Sequence, residues 1–214
     1  MKTPVTKQRL RNHLTYSWWK YALLLIVAIL GWNLIYTVTR YRVPEEKKVI
    51  MNLYVYADQE GLNAYMAEVN ATLMPEMEEM GTVYTALDDL YGEMIFTTHV
   101  TIAEGDIFLL SRSHFQQYAS TGVFLALETD EELMTTLEGV SVTQGWRALA
   151  ENGEQHLFGI PCANLPGMAA YVYDPSDCFL TVLSNNQNDE YVLQFLNIFV
   201  SDMLEEVIPE ADAA

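Results

Sequence analysis

The sequence predicts an α/β fold, in which helices flank a mixed sheet, preceded by an N-terminal transmembrane helix. The first observation behind this prediction is the stretch at residues 21–38, which is apolar except for Asn33 and Thr37. The second is that short runs rich in β-branched and aromatic residues alternate with amphipathic helical patterns after residue 48. The chain has 214 residues, enough for one modest domain in addition to the helix.

The apolar stretch is long enough to cross the hydrocarbon core of a bilayer, which is about 30 Å thick. A buried core helix does not fit, because the stretch is apolar on every face and flanked by charge. The exit "YTVTRYRVPEE" lacks a small-residue cleavage site, and no Cys lies near the stretch. We therefore expect an uncleaved signal anchor. Aromatic residues that favour the membrane interface stand at its ends: Trp18, Trp19, Tyr21, Trp32, Tyr36 and Tyr41.

Basic residues predict the orientation of this helix. Those before the span have no acidic residue among them, whereas those after it are diluted by Glu45 and Glu46. The N-terminus is thus expected in the cytoplasm of a single-pass membrane protein. The predicted organisation is a cytoplasmic basic segment at 1–20, a transmembrane helix at 21–39, a linker at 40–48, an extracytoplasmic domain at 49–208 and a flexible tail at 209–214.

The formal net charge of −18 is unevenly distributed. Residues 1–48 hold 9 of the 11 Lys and Arg and 2 of the 29 acids, a net of +7, so residues 49–214 carry −25. Such an acidic domain repels nucleic acid and anionic lipid headgroups, which excludes nucleic acid as a partner. We interpret most of the acids as a solvated surface, since the sequence contains no calcium-binding loop pattern.

The domain's elements follow from local patterns. Leu62, Tyr65, Met66, Val69 and Leu73 share one face of a helix that Pro75 kinks or ends. Residues 90–105 fit a strand or a helix. Strands are predicted at 48–58, 81–87 and 106–110, the last of them buried on both faces. A short helix is predicted at 113–121, with Phe115 and Tyr118 facing inward and Gly122 ending it. An extended run at 123–128 and a helix at 130–139 follow.

The C-terminal part is predicted to hold three strands within 155–161 and 168–184, two of them around a turn at 174–177. A last helix at 188–207 carries an apolar stripe that we assign to the core. Cys162 and Cys178 flank a segment that could fold as a hairpin. Oxidising surroundings would permit a disulfide between them, and two free, buried thiols are the alternative.

The segments "YGEMIFTTHVTIAEGDIFLLSRSHFQQYASTGVFLALE", "FGIP" and "SNNQNDEYVLQFLNIFV" occur in this order along the chain. Together they resemble the extracellular solute-binding proteins of bacterial ABC importers, and the resemblance covers roughly 49–128 and 155–205. It implies a helix at 91–104 and a lobe like that of type 2 periplasmic binding proteins. Such proteins have two lobes, whereas the domain here has room for about one, and a membrane helix replaces their lipoprotein Cys.

A candidate ligand site lies beyond the carboxyl ends of two predicted strands, where open α/β sheets bind ligands. It comprises Asp58 after the first strand and Ser111, Arg112, Ser113 and His114 after "DIFLL". Backbone N–H groups there could bind an anion or a hydroxyl, and Arg112 could pair with a carboxylate. The alternative is that Ser113 caps the helix and Arg112 is solvated or paired with an acid.

No catalytic pattern accompanies this site. The sequence lacks a Gly-x-Ser-x-Gly elbow, a His-Glu-x-x-His pair and a phosphate loop, and His99, His114 and His156 are scattered. We therefore expect no enzyme, catalytic residue, cofactor or metal site. The predicted function is a membrane-anchored binding or accessory module whose partner is a membrane complex, a peptide or a small solute. A structural scaffold subunit without a small-molecule ligand is the alternative.

Overall fold

The computed structural model describes residues 7–85, 89–102, 105–184 and 188–205. The chain divides into two compact units between Arg42 and Val43. The first unit holds helix α1, Lys7–Thr39, whose segment Thr15–Thr39 is long and apolar enough to cross a membrane. The predicted span at 21–39 lies within it. The predicted tail at 209–214 and part of the basic segment lie outside the described residues, and the domain boundaries stay predictions.

The second unit confirms the predicted α/β class. Its five-stranded mixed sheet has the order β2-β1-β3-β7-β6. Strands β1, β2 and β3 are mutually parallel where they pair, and β7 runs antiparallel to β3 and β6. The strands are β1 Lys48–Leu53, β2 Glu79–Tyr84, β3 Ile107–Ser111, β6 Ile160–Pro161 and β7 Cys178–Val182, with a separate pair of β4 Trp146–Ala148 and β5 Gln155–Leu157. The helices are α2 Gln59–Thr72, α3 Asp89–Ile102, α4 Arg112–Tyr118, α5 Glu131–Thr136 and α6 Asp189–Leu204.

Strand β3 is buried on both faces, as its apolar run predicts. Because side chains alternate along a strand, Ile107 and Leu109 enter one core while Phe108 and Leu110 enter the other. The first core packs α2 and α6 against the sheet. The second is an aromatic cluster that includes Phe96 of α3. The segment at 90–105 is therefore a helix in its described part, as the resemblance implied.

Helix ends follow the capping residues of the sequence. The Asp58 side chain accepts a hydrogen bond from the N–H of Gly61 at 3.1 Å, and Asp130 accepts one from Leu133 at 2.7 Å. Gly122 has a φ of 79° where the turn after α4 ends, a value that favours glycine. Leu73 does not continue the helical face that the sequence analysis assigned to it, because α2 ends at Thr72 and Leu73 is 54% exposed.

Strand β2 is one of the two edge strands of the sheet, and α2 covers part of it. The Asn63 side-chain oxygen accepts a hydrogen bond from the N–H of Thr82 at 2.8 Å, and the Gln59 amide donates one to the carbonyl of Thr82 at 3.2 Å. These bonds occupy outward-facing backbone groups that could otherwise pair with another chain.

The run at 123–128, predicted to be extended, forms an isolated bridge between Phe124 and Leu183 and then enters a 3₁₀ turn at Leu127–Thr129. One strand prediction is wrong. The segment at 168–173 is largely the 3₁₀ helix Pro166–Ala170, which Pro166 opens and Gly167 brings close to α6. Only Val172 makes a bridge, to Ala57. The prediction also missed β4, whose three residues are too few for a visible alternation.

Candidate functional site

The carboxyl ends of β1 and β3 lie side by side because the two strands pair in parallel, with Leu53 opposite Leu109. The N–H of Tyr54 continues this pairing with a 2.9 Å hydrogen bond to the carbonyl of Leu109. Ser111, the last residue of β3, and the segment after β1 that holds Asp58 therefore lie at one edge of the sheet, as the sequence predicted.

A distant segment meets this edge and completes the site. The N–H of Asp58 donates to the carbonyl of Tyr171 at 2.7 Å, and the N–H of Tyr173 donates to the carbonyl of Tyr56 at 3.0 Å. With the bridge from Ala57 to Val172, these bonds form a short antiparallel pairing. Directly opposed residues of such a pairing point to the same face. Tyr56 and Tyr173 are thereby held next to each other, 69% and 90% exposed.

A cavity of about 260 Å³ lies on one side of this tyrosine pair. Its lining combines aromatic rings, hydroxyls and carboxylates. Its lining residues are Tyr54, Val55, Tyr56, Ser111, Ser113, His114, Val172, Tyr173, Asp174 and Asp177.

A second cavity, of about 460 Å³, shares Tyr56, Val172 and Tyr173 with the first. Its other lining residues are Ala57, Asp58, Tyr84, Ala169, Ala170 and Tyr171. We call the two adjoining cavities the tyrosine groove. The groove follows the edge at which the parallel strands end, where α/β sheets bind ligands.

Ser111 and His114, both predicted site residues, line the first cavity and contact each other. The Ser111 hydroxyl contacts His114 Nδ1 at 2.8 Å and the Ser113 hydroxyl at 2.9 Å. Ser111 is also the N-cap of α4, accepting from the N–H of His114. The expectation that Ser113 caps this helix is corrected accordingly. All three residues line the cavity.

Arg112 does not line either cavity of the tyrosine groove among the described residues. Its guanidinium donates to Gln144 Oε1 and to the carbonyl of Ser176, both at 2.7 Å, and lies 3.7 Å from the Asp177 carboxylate. It also stands over the ring of Phe179 at 5.6 Å. Arg112 is thus committed to contacts within the protein, which corresponds to the paired alternative of the sequence analysis.

The sequence analysis missed the tyrosines of the groove. A signal was available, because "YVY" occurs at 54–56, directly after β1, and again at 171–173. Alternation alone assigned both runs to strands. Only the pairing of the two runs shows that Tyr56 and Tyr173 are neighbours at the surface.

The charge state of the groove is set by local partners. Hydrogen bonds from the side chain and backbone of Ser176 lower the pKa of Asp174, so this carboxylate is ionised at neutral pH. Burial raises the pKa of Tyr54 to about 12, and a hydrogen bond with Thr85 offsets part of the rise. Burial, and then the charge of Asp58, raise the pKa of Tyr171. At neutral pH, Tyr54 and Tyr171 therefore carry no charge, and Asp174 carries a negative charge.

The two cysteines are buried next to each other, with their sulfur atoms 3.2 Å apart. They are free thiols in this structure, and the predicted disulfide stays a prediction. Cys178 follows Asp177, which lines the groove. The described part of the chain holds no cluster of three or more His, Cys, Asp or Glu side chains able to bind a metal ion.

No protein-family model and no curated protein matches the chain. Among solved structures, it is similar to an extracellular solute-binding protein family 1 member from Alicyclobacillus acidocaldarius subsp. acidocaldarius DSM 446, with 16% identity and a TM-score of 0.41. It is also similar to the apo form of RafE from Streptococcus pneumoniae, with 14% identity and a TM-score of 0.34. Each match covers 56% of this chain, and 28% and 29% of the respective structures.

Proposed function

We propose that the domain after α1 is a non-catalytic extracytoplasmic binding module, anchored to a membrane by α1, whose ligand binds in the tyrosine groove. The observation that carries the proposal is the exposed pair Tyr56 and Tyr173, which forms a common wall of two cavities at the carboxyl edge of the parallel strands. Concave, mostly apolar sites with a few convergent polar groups are typical ligand sites.

The anchor is supported by the segment Thr15–Thr39, whose mean hydropathy is 2.1 and none of which is buried in protein. The exit of this segment lacks a cleavage pattern. Five Lys and Arg residues with no acid among them precede residue 21, against four that are diluted by Glu45 and Glu46 within 40–48. Together these features favour a single-pass protein with its acidic domain outside the cytoplasm.

The chemistry of the groove supports binding without catalysis. The His114 ring contacts Ser111, but the Ser111 hydroxyl is already used as the helix cap. Elsewhere, the His156 ring pairs with Glu128 at 2.6 Å, and neither residue lines the groove. A nucleophile with a base oriented by a third group, as covalent catalysis needs, is not formed by the described residues of the groove.

A scaffold role has one observation in its favour. Tyr91, Met94 and Ile102 are 56%, 61% and 57% exposed, and their spacing places them on one face of α3. An exposed apolar face of this kind can bind another protein. In that case the groove would be incidental and α3 would hold the partner.

A thermal-shift screen of the full chain in lipid nanodiscs separates the two functions. The library contains sugars, amino acids, aliphatic amines, quaternary ammonium compounds and short peptides. We expect at least one compound to raise the melting temperature of the wild type but not of Tyr56→Ala/Tyr173→Ala. Tyr91→Ala/Met94→Ala, the matched pair on α3, should keep the response. Absence of any stabilising compound, or loss of the response in the α3 pair only, would overturn the proposal.

A further inference from the structure

We propose that the ligand of the tyrosine groove is a small organic cation, either an aliphatic amine or a quaternary ammonium compound. This inference rests on the proposed binding function and names its ligand class. It is carried by the combination of tyrosine rings and carboxylates around both cavities.

The rings supply the first part of a cation site. Tyr54, Tyr56 and Tyr173 line the first cavity, and Tyr84 and Tyr171 join the wall of the second. The face of a tyrosine ring attracts an ammonium group within about 6 Å of its centre, and the attraction is stronger where water is excluded. Several tyrosines around one small cavity therefore suit a cation with an apolar periphery.

The carboxylates supply the second part. Asp174 and Asp177 line the first cavity and Asp58 lines the second. Among the residues that the structure describes, no Lys or Arg lines either cavity. Arg112 approaches Asp177, but both of its donor bonds go to Gln144 and Ser176. An anionic ligand would therefore meet carboxylates without a free cationic partner.

The whole domain reinforces this preference. Residues 49–214 carry a net charge of −25, with only Arg112 and Arg147 as basic residues. A field of this sign concentrates cations near the surface and repels anions. The net charge of the domain and the carboxylates that line the cavities therefore both favour a cation.

Isothermal titration of the full chain in nanodiscs tests the inference with pairs of probes matched in shape. Choline is compared with 3,3-dimethylbutan-1-ol, its neutral carbon analogue, and cadaverine with 1,5-pentanediol. We expect at least one cation to bind about tenfold or more tightly than its neutral counterpart. Because this comparison uses the unaltered protein, it does not depend on how a variant folds. Equal binding of cation and counterpart in both pairs, or binding of neither member of either pair, would overturn the inference.

Two variants place the cation in the groove. Asp174→Asn/Asp177→Asn should weaken binding of the cation about tenfold, whereas Glu138→Gln/Glu151→Gln, which removes the same charge from exposed positions elsewhere, should leave it within about twofold. An equal loss in both variants would show that total charge holds the cation, which contradicts a site in the groove.

The outcome for the proposed function is read separately. If a sugar or a peptide stabilises the wild type through Tyr56 and Tyr173 while no cation binds, the ligand class is wrong and the binding function stands. If no compound of any class binds, both the ligand class and the binding function are wrong.

Discussion

The guanidinium of Arg112 donates a 2.7 Å hydrogen bond to the carbonyl oxygen of Ser176. A second bond of the same length joins it to the Gln144 side chain. Arg112 therefore connects the start of α4 to the turn before β7 and to the segment before β4. The residue that looked most like a ligand-binding cation in the sequence holds together the loops around the groove.

Arg112→Ala should consequently lower the stability of the domain. Hydrogen bonds to a charged group contribute about 1.5–3 kcal/mol when buried, and the partial exposure of Arg112 reduces this to about 1 kcal/mol. For a domain of this size we expect the melting temperature to fall by about 2–4 °C. Arg112→Lys keeps the charge but not the forked geometry, so it should not restore the loss. A melting temperature equal to that of the wild type would contradict this role.

The ring of Phe115 stacks on that of Phe179, with centroids 4.3 Å apart and planes at 6°. Both side chains are buried in the aromatic core, which also contains Tyr54 of the groove. Phe115→Ala should destabilise the domain by about 3–5 kcal/mol, because it leaves a cavity that the rigid neighbours cannot fill. Chemical denaturation measures the loss. Tyr91→Ala, on the exposed face of α3, should change stability by less than about 0.5 kcal/mol. Similar losses in both variants would contradict the assigned packing.

Asn63 protects the edge of the sheet through its bonds to Thr82. Asn63→Ala should cost about 1–2 kcal/mol, because the N–H of Thr82 loses its partner in a partly buried position. The uncovered edge should also increase light scattering on storage at high concentration. Asn63→Asp keeps the accepting oxygens and is the matched control. Unchanged stability and scattering in Asn63→Ala would show that this contact does not protect the edge.

If the domain lies outside the cytoplasm, as we propose, Cys162 and Cys178 should form a disulfide, because their sulfur atoms are 3.2 Å apart and extracytoplasmic surroundings are oxidising. After denaturation without reductant, iodoacetamide should label neither Cys, and after reduction it should label both. Labelling of both without reduction would contradict the disulfide. In the reduced, folded protein, burial raises the pKa of the Cys178 thiol, so its alkylation at pH 8 should be slow.

The features of the fold that the sequence predicts are those determined by residues close together in the chain. The continuous apolar run of β3, the Asp130 cap of α5 and the turn at Gly122 each depend on a few neighbouring residues. The sequence also placed Asp58 and the 111–114 segment at one edge, because parallel strands end together.

The features of the fold and of the site that the sequence did not predict depend on contacts between residues far apart in the chain. The segment at 168–173 has the composition of a strand, but close packing of Gly167 against Met203 of α6 favours a 3₁₀ helix. Tyr56 meets Tyr173 only through backbone bonds between segments that no local pattern connects. The tyrosine groove is such a non-local feature, which is why the sequence indicated its edge but not its aromatic wall.

The most direct test of the account is hydrogen–deuterium exchange of the full chain in nanodiscs, with and without a pool of sugars, amino acids, amines, quaternary ammonium compounds and short peptides. We expect slower exchange in peptides that cover residues 54–58 and 171–177, because a bound ligand shields the tyrosine groove. Unchanged exchange in both segments, or slowing confined to α3, would contradict a ligand site between Tyr56 and Tyr173.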